Sequence, residues 1–278
     1  MSKAPYSNFR VVMDPVKGRC LESLATFATG TIIWTEPAFL VSCGTDETNE
    51  SILLECEGNE DLMNALEEQP QVQTEDTARN LIKLAALVTR AGFSSHPYRE
   101  LFEQLHPSNL NDCVASIASF RALESRADCV LSGLSDAEAG RLLGILNNNQ
   151  VEVELGGANG GTTGSGLFVF TAITEHSCAP NCSFTTKDDM LYMCAIQDIA
   201  PGDRISIDYI NGWFRSTSER QTELSATYGF TCVCPSCTTA SDNTRSFWCS
   251  KKNCPGVTFM PNLDSSEWSA CSEWKTIP

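Results

Sequence analysis

Hydrophobic and polar positions change their period twice along the chain. Near the start the pattern is that of short strands. NFRVVM (residues 8–13) and TIIWTEPAFLV (31–41) are rich in β-branched and aromatic residues. KGRC (17–20) places a glycine turn between them, and Pro37 marks a bulge or an edge. From 77 to 147 the period is helical. TARNLIKLAALVTRAG puts Leu81, Leu84, Leu87 and Val88 on one face. SDAEAGRLLGIL opens on Ser135 with Glu138 three places on, the reciprocal pair of a capping box. Pro97 and Pro107 punctuate the region. Strand patterning returns in LFVFTAI (167–173), MLYMCAIQ (190–197) and RISIDYI (204–210), the last two separated by the turn PGD. A final helix is predicted from about Ser218 to Tyr228, capped by Ser216 with Glu219 and stopped by Gly229.

Two stretches break these patterns. From Cys43 to Asp76 there are eleven acidic residues and no basic one, which reads as a solvated helical face or a loop. GGANGGTTGSG (156–166) reads as a flexible loop, without the glycine spacing or the lysine of a phosphate loop. The chain thus divides into a strand-rich start (1–45), an acidic and helical insertion (46–135), a strand-rich core (136–230) and a cysteine-rich tail (231–278).

Composition narrows the setting. The 278 residues are 42% hydrophobic, enough to fill a core. Acidic residues outnumber basic ones 35 to 19, a formal charge of −16. That field repels nucleic-acid phosphates and draws in basic peptides, although it serves solubility equally well. The N-terminus has no apolar signal region, and no apolar run is long enough to span a bilayer. The expected location is the cytoplasm, the nucleus or both. In a reducing compartment the 14 cysteines read as thiols and metal ligands rather than disulfides.

The cysteines are grouped. EHSCAPNC (175–182) suits a metal knuckle, a nucleophile with its base, or a buried turn. In FTCVCPSC (230–237), Cys232, Cys234 and Cys237 are too close together to pair comfortably as disulfides. Three such thiolates suit zinc, which takes four ligands, so a fourth must come from elsewhere in the chain. Cys249 and Cys254 in FWCSKKNCPG, with Cys271 in EWSAC, are either an incomplete second zinc ribbon or plain structural cysteines. Trp274 stands where a C-x-x-C partner of Cys271 would fall.

In order, EHSCAPNC, ISIDY, SERQTELSATYGF and CVCPSC resemble the SET-domain lysine methyltransferases, most closely the SMYD branch. That family shows N-H-S-C-x-P-N-C, a strand ending in tyrosine, an E-R-x-x-L helix, Y-x-F and a post-SET C-x-C-x-x-C. More weakly, KGRCLESLATFATGTIIWTEPAFLV resembles its opening hairpin, and LNNNQVEVEL with GLFVF the segment before its core motif. The resemblance covers about 9–45 and 140–240. It implies an α+β protein: a β-rich SET fold of small sheets with pseudoknot-like threading, a helical insertion and a zinc-binding post-SET tail. It implies S-adenosylmethionine as methyl donor and a lysine as acceptor. It implies Zn2+ held by Cys178, Cys232, Cys234 and Cys237, with Cys182 left to packing. Tyr209 and Tyr228 take the catalytic positions. Lys17, Gly18, Arg19, Asn149, Glu175, His176, Tyr209 and Phe230 take the cofactor positions. The expected partner is a basic protein or peptide, histones included, met by a monomer with no direct nucleic-acid or membrane partner.

The sequence also departs from that pattern. Cys20 replaces the second glycine of the opening G-x-G, tolerable if its φ is negative. Neither the family's inserted MYND finger nor the helical-repeat domain of many relatives is evident. Glu175 replaces the motif's asparagine, and a carboxylate only accepts hydrogen bonds where an amide also donates. Two functional classes follow. Tyr209, Tyr228 and His176 favour an active protein-lysine methyltransferase. Glu175 and Cys20 favour a catalytically weak or inactive SET-fold protein acting as a binding module. A zinc-binding interaction module alone would explain the tail but not ISIDY.

Overall fold

The computed structural model describes residues 6–42, 67–72, 74–90, 92–123, 130–155, 162–239, 241–261 and 271–272. Its strands are β1 (Phe9–Asp14), β2 (Gly18–Ser23), β3 (Ile32–Pro37), β4 (Leu40–Ser42), β5 (Gln150–Leu155) and β6 (Thr162–Leu167). They continue with β7 (Glu175–His176), β8 (Cys182–Lys187), β9 (Met190–Ala195), β10 (Arg204–Ile207), β11 (Ser241–Trp248) and β12 (Val257–Pro261). The helices are α1 (Glu75–Thr89), α2 (Arg99–Glu103), α3 (Leu110–Leu123), α4 (Asp136–Asn149), α5 (Thr217–Tyr228) and α6 (Pro235–Thr238). This is an α+β architecture of small sheets. Residues 1–34, 174–184 and 193–278 form one compact unit, and 35–173 with 185–192 a second. β3, β9 and β8 make a three-stranded sheet. Among the described residues no helix is long and apolar enough to cross a membrane.

In the first unit β1, β2, β10 and β7 form one sheet in that order. β1 and β2 are an antiparallel hairpin in unbroken register from Phe9↔Ser23 to Asp14↔Gly18. Its turn is fixed by the Asp14 carboxylate, which accepts from the Val16 and Lys17 amides at 2.8 and 3.0 Å. Gly18 then adopts φ 77°, a left-handed conformation that favours glycine. β10 pairs antiparallel to β2 and parallel to β7, setting Ser206 against Glu175 and Ile207 against His176. Phe9 stacks on Phe27 and meets Trp34 edge-on. α5 carries the expected capping box of Ser216 and Glu219 and ends on Gly229 at φ 74°.

The second unit packs α1, α3 and α4 with the sheet β4–β6–β5. Leu81 and Leu84 of α1 are fully buried, with Ile82 and Ala85 beside them, while Leu87 and Val88 lie at the margin. α1 is buried on more than its apolar face. Asn80 donates to Ser165 O at 3.0 Å and Lys83 to Val41 O at 2.8 Å, so both enclosed side chains give a hydrogen bond to a strand carbonyl.

Two patterned stretches differ from expectation. LFVFTAI is buried but only Leu167 is in a strand; the rest turns into a 3-10 segment at Thr171–Ile173. Its amides find their partner in the buried Glu36 carboxylate, which accepts from Phe170 N at 2.7 Å and Thr171 N at 2.8 Å. An all-apolar run signals burial, and here a side chain replaces the ladder that burial ordinarily requires. The second half of the glycine-rich stretch is strand: Thr162–Leu167 is β6, in continuous register with β5. The acidic stretch lies mostly outside the described residues.

Gly140 and Gly144 bring α4 close to its neighbours. A Cβ on Gly140 would lie 2.6 Å from Val114 Cγ2 and 2.7 Å from Val114 Cα of α3. Gly140→Ala is therefore expected to cost about 1–3 kcal/mol through overpacking. That should outweigh alanine's helix preference of about 1 kcal/mol. Chemical denaturation followed by circular dichroism checks this; an unchanged or raised midpoint would show that α3 can retreat.

Candidate active site and metal centre

Four cysteines meet in the first unit. Cys178 follows β7. Cys232 precedes Cys234, which caps α6, and Cys237 lies within that short helix. Their four sulfurs all lie within 4.8 Å of one another, Cys178 being 3.5 Å from Cys237 and 4.0 Å from Cys232. A zinc–sulfur bond of about 2.3 Å puts neighbouring sulfurs of a tetrahedron about 3.8 Å apart, whereas a disulfide needs about 2.05 Å. The donor set fits a closed tetrahedral zinc site.

The surroundings suit such a centre. Four thiolates around one Zn2+ leave negative charge on sulfur, and donors point at it. His176 Nδ1 accepts from the Tyr209 amide at 3.1 Å, which leaves the ring proton on Nε2, 3.3 Å from Cys178 Sγ. Arg220 Nη2 lies 3.8 Å from Cys237 Sγ. The Gln221 side chain clamps the Cys232 backbone in both directions, accepting from its N–H at 2.8 Å and donating to its carbonyl at 2.7 Å. Such outer contacts fix ligand orientation.

An aromatic group adjoins the thiols. His176 and Tyr209 have ring centroids 5.2 Å apart, Tyr209 and Tyr228 5.0 Å, Tyr228 and Phe230 6.4 Å, and His176 and Phe230 6.0 Å. The Tyr209 hydroxyl donates to Thr174 O, and the Tyr228 hydroxyl donates to Tyr209 O at 3.3 Å. Burial pushes the Tyr209 phenol well above its ordinary range; nearby Tyr228, Glu175 and Cys20 add to this and Arg19 opposes it. The hydroxyl is therefore a protonated donor at neutral pH.

A polar edge completes the site. Lys17 Nζ pairs with Glu175 Oε1 at 2.8 Å. Burial alone would lower the Lys17 ammonium, but Glu175 outweighs it and holds the group above its usual value. Cys20 is fully buried, its thiol pushed up to about 12 by burial and then by Glu175. Its φ is not positive, so no glycine is required there. Arg19 Nη1, Thr174 Oγ1 and Glu175 Oε2 are buried without a hydrogen-bond partner. Three such atoms in one region are an arrangement a polar ligand would satisfy.

The structure thus gathers Lys17, Gly18, Arg19, Glu175, His176, Tyr209, Tyr228 and Phe230 in one unit with the four cysteines. Asn149 belongs to the other unit, at the end of α4, where its amide donates to Ile145 O at 2.8 Å and His106 O at 3.2 Å. Thr174 and Gln221 also belong to the site and carry no motif signal, and Arg220, the arginine of the E-R helix motif, has a role there that its spacing does not reveal. The sequence reading gave no role to Asn181, although the motif contains it. Asn181 donates to Arg204 O at 2.7 Å and accepts from Ser206 N at 2.9 Å, tying the cysteine motif to β10.

The SET-domain family model matches residues 18–210, from the hairpin turn to just past Tyr209. The chain belongs to the SET-domain family. The human N-lysine methyltransferase SMYD2 is 26% identical over 267 residues, 81% of this chain and 59% of that protein. The human protein-lysine N-trimethyltransferase SMYD5 is 40% identical over 83 residues, 28% of this chain and 20% of that protein. The chain therefore spans about three-fifths of the first relative and a fifth of the second. The solved SET domain of LSMT bound to MeLysine and AdoHcy shares the fold, with a TM-score of 0.53 at 12% identity over 88% of this chain and 55% of that one. Within the SET frame, the two departures from the motif pattern, Cys20 and Glu175, act on each other directly.

Purified protein is expected to carry zinc at Cys178, Cys232, Cys234 and Cys237, and Cys234→Ser to lower the zinc content by one ion per chain and loosen the tail. Elemental analysis beside limited proteolysis reads both; zinc content unchanged in the variant would remove these cysteines as ligands.

Proposed function

We propose that the chain is an S-adenosylmethionine-dependent protein-lysine N-methyltransferase acting on a lysine of a basic protein or peptide, histones among them. The observation that carries this reading is the Tyr209 hydroxyl, held by Thr174 within an aromatic group next to unpartnered buried polar atoms. Lys17, Arg19, Glu175 and His176 are the residues that would hold the cofactor, with Phe230 against it. Bound there, S-adenosylmethionine supplies an electrophilic methyl group on a cationic sulfur. The protein's own part is to desolvate and align. An acceptor lysine, with a pKa of about 10.4 in water, must arrive neutral, and a dry aromatic surround favours that form. A phenol held protonated by burial cannot serve as the base, so Tyr209 works by orienting the amine. The charge of −16 favours basic substrates.

Tyr209→Phe should retain cofactor binding by calorimetry yet lose about a hundredfold in methyl transfer to mixed histones, the scale expected of lost alignment. Wild-type turnover in that variant would take Tyr209 out of catalysis.

A second reading, a SET-fold binding module with weak or no turnover, is favoured by one contact: Glu175 already occupies Lys17. The amino-acid end of S-adenosylmethionine carries an ammonium and a carboxylate. Glu175 suits the first, repels the second and engages the cation that would receive it. Glu175→Asn frees Lys17 and restores a donor. It should tighten cofactor binding by about 1–3 kcal/mol, roughly ten- to a hundredfold. Weaker binding in the variant would make Glu175 an adapted ligand, and absence of binding in both forms would favour the module.

A further inference from the structure

The tail holds a second group of thiols outside the site described above. Cys249, Cys254 and Cys271 bring their sulfurs within 4.8 Å of one another, Cys254 and Cys271 being 3.6 Å apart. We propose that these three cysteines form a second zinc site.

Several observations converge on it. The separation of 3.6 Å is far from a disulfide's and close to the edge of about 3.8 Å of a zinc–thiolate tetrahedron. Cys249 and Cys254 flank the turn joining β11 and β12. Cys249 N donates to Gly256 O at 2.8 Å and Cys254 N to Lys251 O at 3.1 Å, while Asn253 takes φ 61° to close the loop. The Lys251 N–H points back at the Cys249 sulfur. A turn that folds a backbone amide onto the first sulfur and presents the second beside it is a preformed two-ligand knuckle. The third ligand comes from outside the hairpin: Cys271 is buried, 17 residues beyond Cys254.

Charge and stability point the same way. Three thiols give up three protons to solvent on binding Zn2+, leaving one net negative charge. Lys251 and Lys252 sit in the turn that carries two of the ligands, in a chain otherwise strongly acidic. A two-stranded ribbon is marginal by itself in water. Among the described residues β11 and β12 form a sheet of their own, held to α5 at the Asp242 end by Arg220. A metal joining their turn to Cys271 supplies a cross-link at the opposite end of the ribbon. Among the described residues these three sulfurs make up the group, which leaves one position of a zinc tetrahedron for a further donor.

The test is zinc stoichiometry of the full chain, purified under reducing conditions, with two single variants. Two zinc ions per wild-type chain, falling to one in Cys254→Ser and to one in Cys234→Ser, supports the proposal. One ion, lost in Cys234→Ser and kept in Cys254→Ser, overturns it. One ion, lost in Cys254→Ser and kept in Cys234→Ser, upholds this site and removes the other, so the two assignments fail separately. Alkylation of the wild-type protein covers the case in which Cys254→Ser does not fold. Cys249, Cys254 and Cys271 should be protected until a mild chelator removes the first zinc equivalent, and then react together. Ready alkylation of all three with zinc still fully bound, or a Cys254–Cys271 disulfide in the reduced preparation, overturns the proposal.

Discussion

The meeting of Cys178 with the turn at 232–237 is the constraint on which the first unit depends. The two partners are 54 residues apart at their nearest, so the junction closes a long loop. That closure orders the intervening chain, including β10, Tyr209 and α5. His176 makes the thiol centre and the aromatic site a single object. One ring nitrogen holds the Tyr209 amide and the other addresses the Cys178 sulfur. A shift of the thiols therefore moves the ring that places the tyrosine. Tyr228 and Phe230 precede Cys232 by a few residues, so the same closure carries them to Tyr209 and His176.

Glu175, a departure from the family pattern, is compensated by its neighbours. A carboxylate at Glu175 introduces charge at a nearly enclosed position, and burial of an unpaired charge is costly. Lys17, across the sheet, supplies the opposite charge. Cys20 lies fully buried beside the same carboxylate, and its raised thiol stays protonated, so it adds no second negative charge. Lys17, Cys20 and Glu175 are one electrostatic unit, and the effect of changing any one depends on the other two.

Local chemistry was legible in the sequence and long-range pairing was not. The capping boxes at Ser135 and Ser216 form as their spacing predicts, because each depends on four consecutive residues. The close spacing of Cys232, Cys234 and Cys237 announced a shared site for the same reason. LFVFTAI misled because periodicity reports burial, not which group accepts the buried amides; Glu36 lies 134 residues away from Phe170. TTGSG misled because glycine lowers strand preference, whereas the pairing with β5 is what decides. The ion pair of Lys17 with Glu175 spans 158 residues and has no sequence signature at all. The polar enclosure of Asn80 and Lys83 in α1 was hidden because their partners are backbone carbonyls of strands distant in sequence.

Arg220 shows how the tail is kept in one arrangement. It is fully buried on α5 and faces the fully buried Asp242 of β11 with both terminal nitrogens, at 3.0 and 3.2 Å. A buried pair of this kind contributes little net stability, because desolvating both ions offsets their attraction, and an apolar pair of the same volume often does better. The value of Arg220 lies in its other contacts. The same guanidinium donates to Thr217 in its own helix and Thr244 in β11, and reaches the Cys237 sulfur. One rigid planar donor thus specifies helix, strand and thiol cluster together, which no hydrophobic substitute can do because none has directional donors. The first turn of α5 is in this way tied to the thiol centre, while Tyr228 at its last turn stands over Tyr209. The helix therefore holds the distance between the thiol cluster and the aromatic site, and a tail that loosened at Cys237 would release both ends.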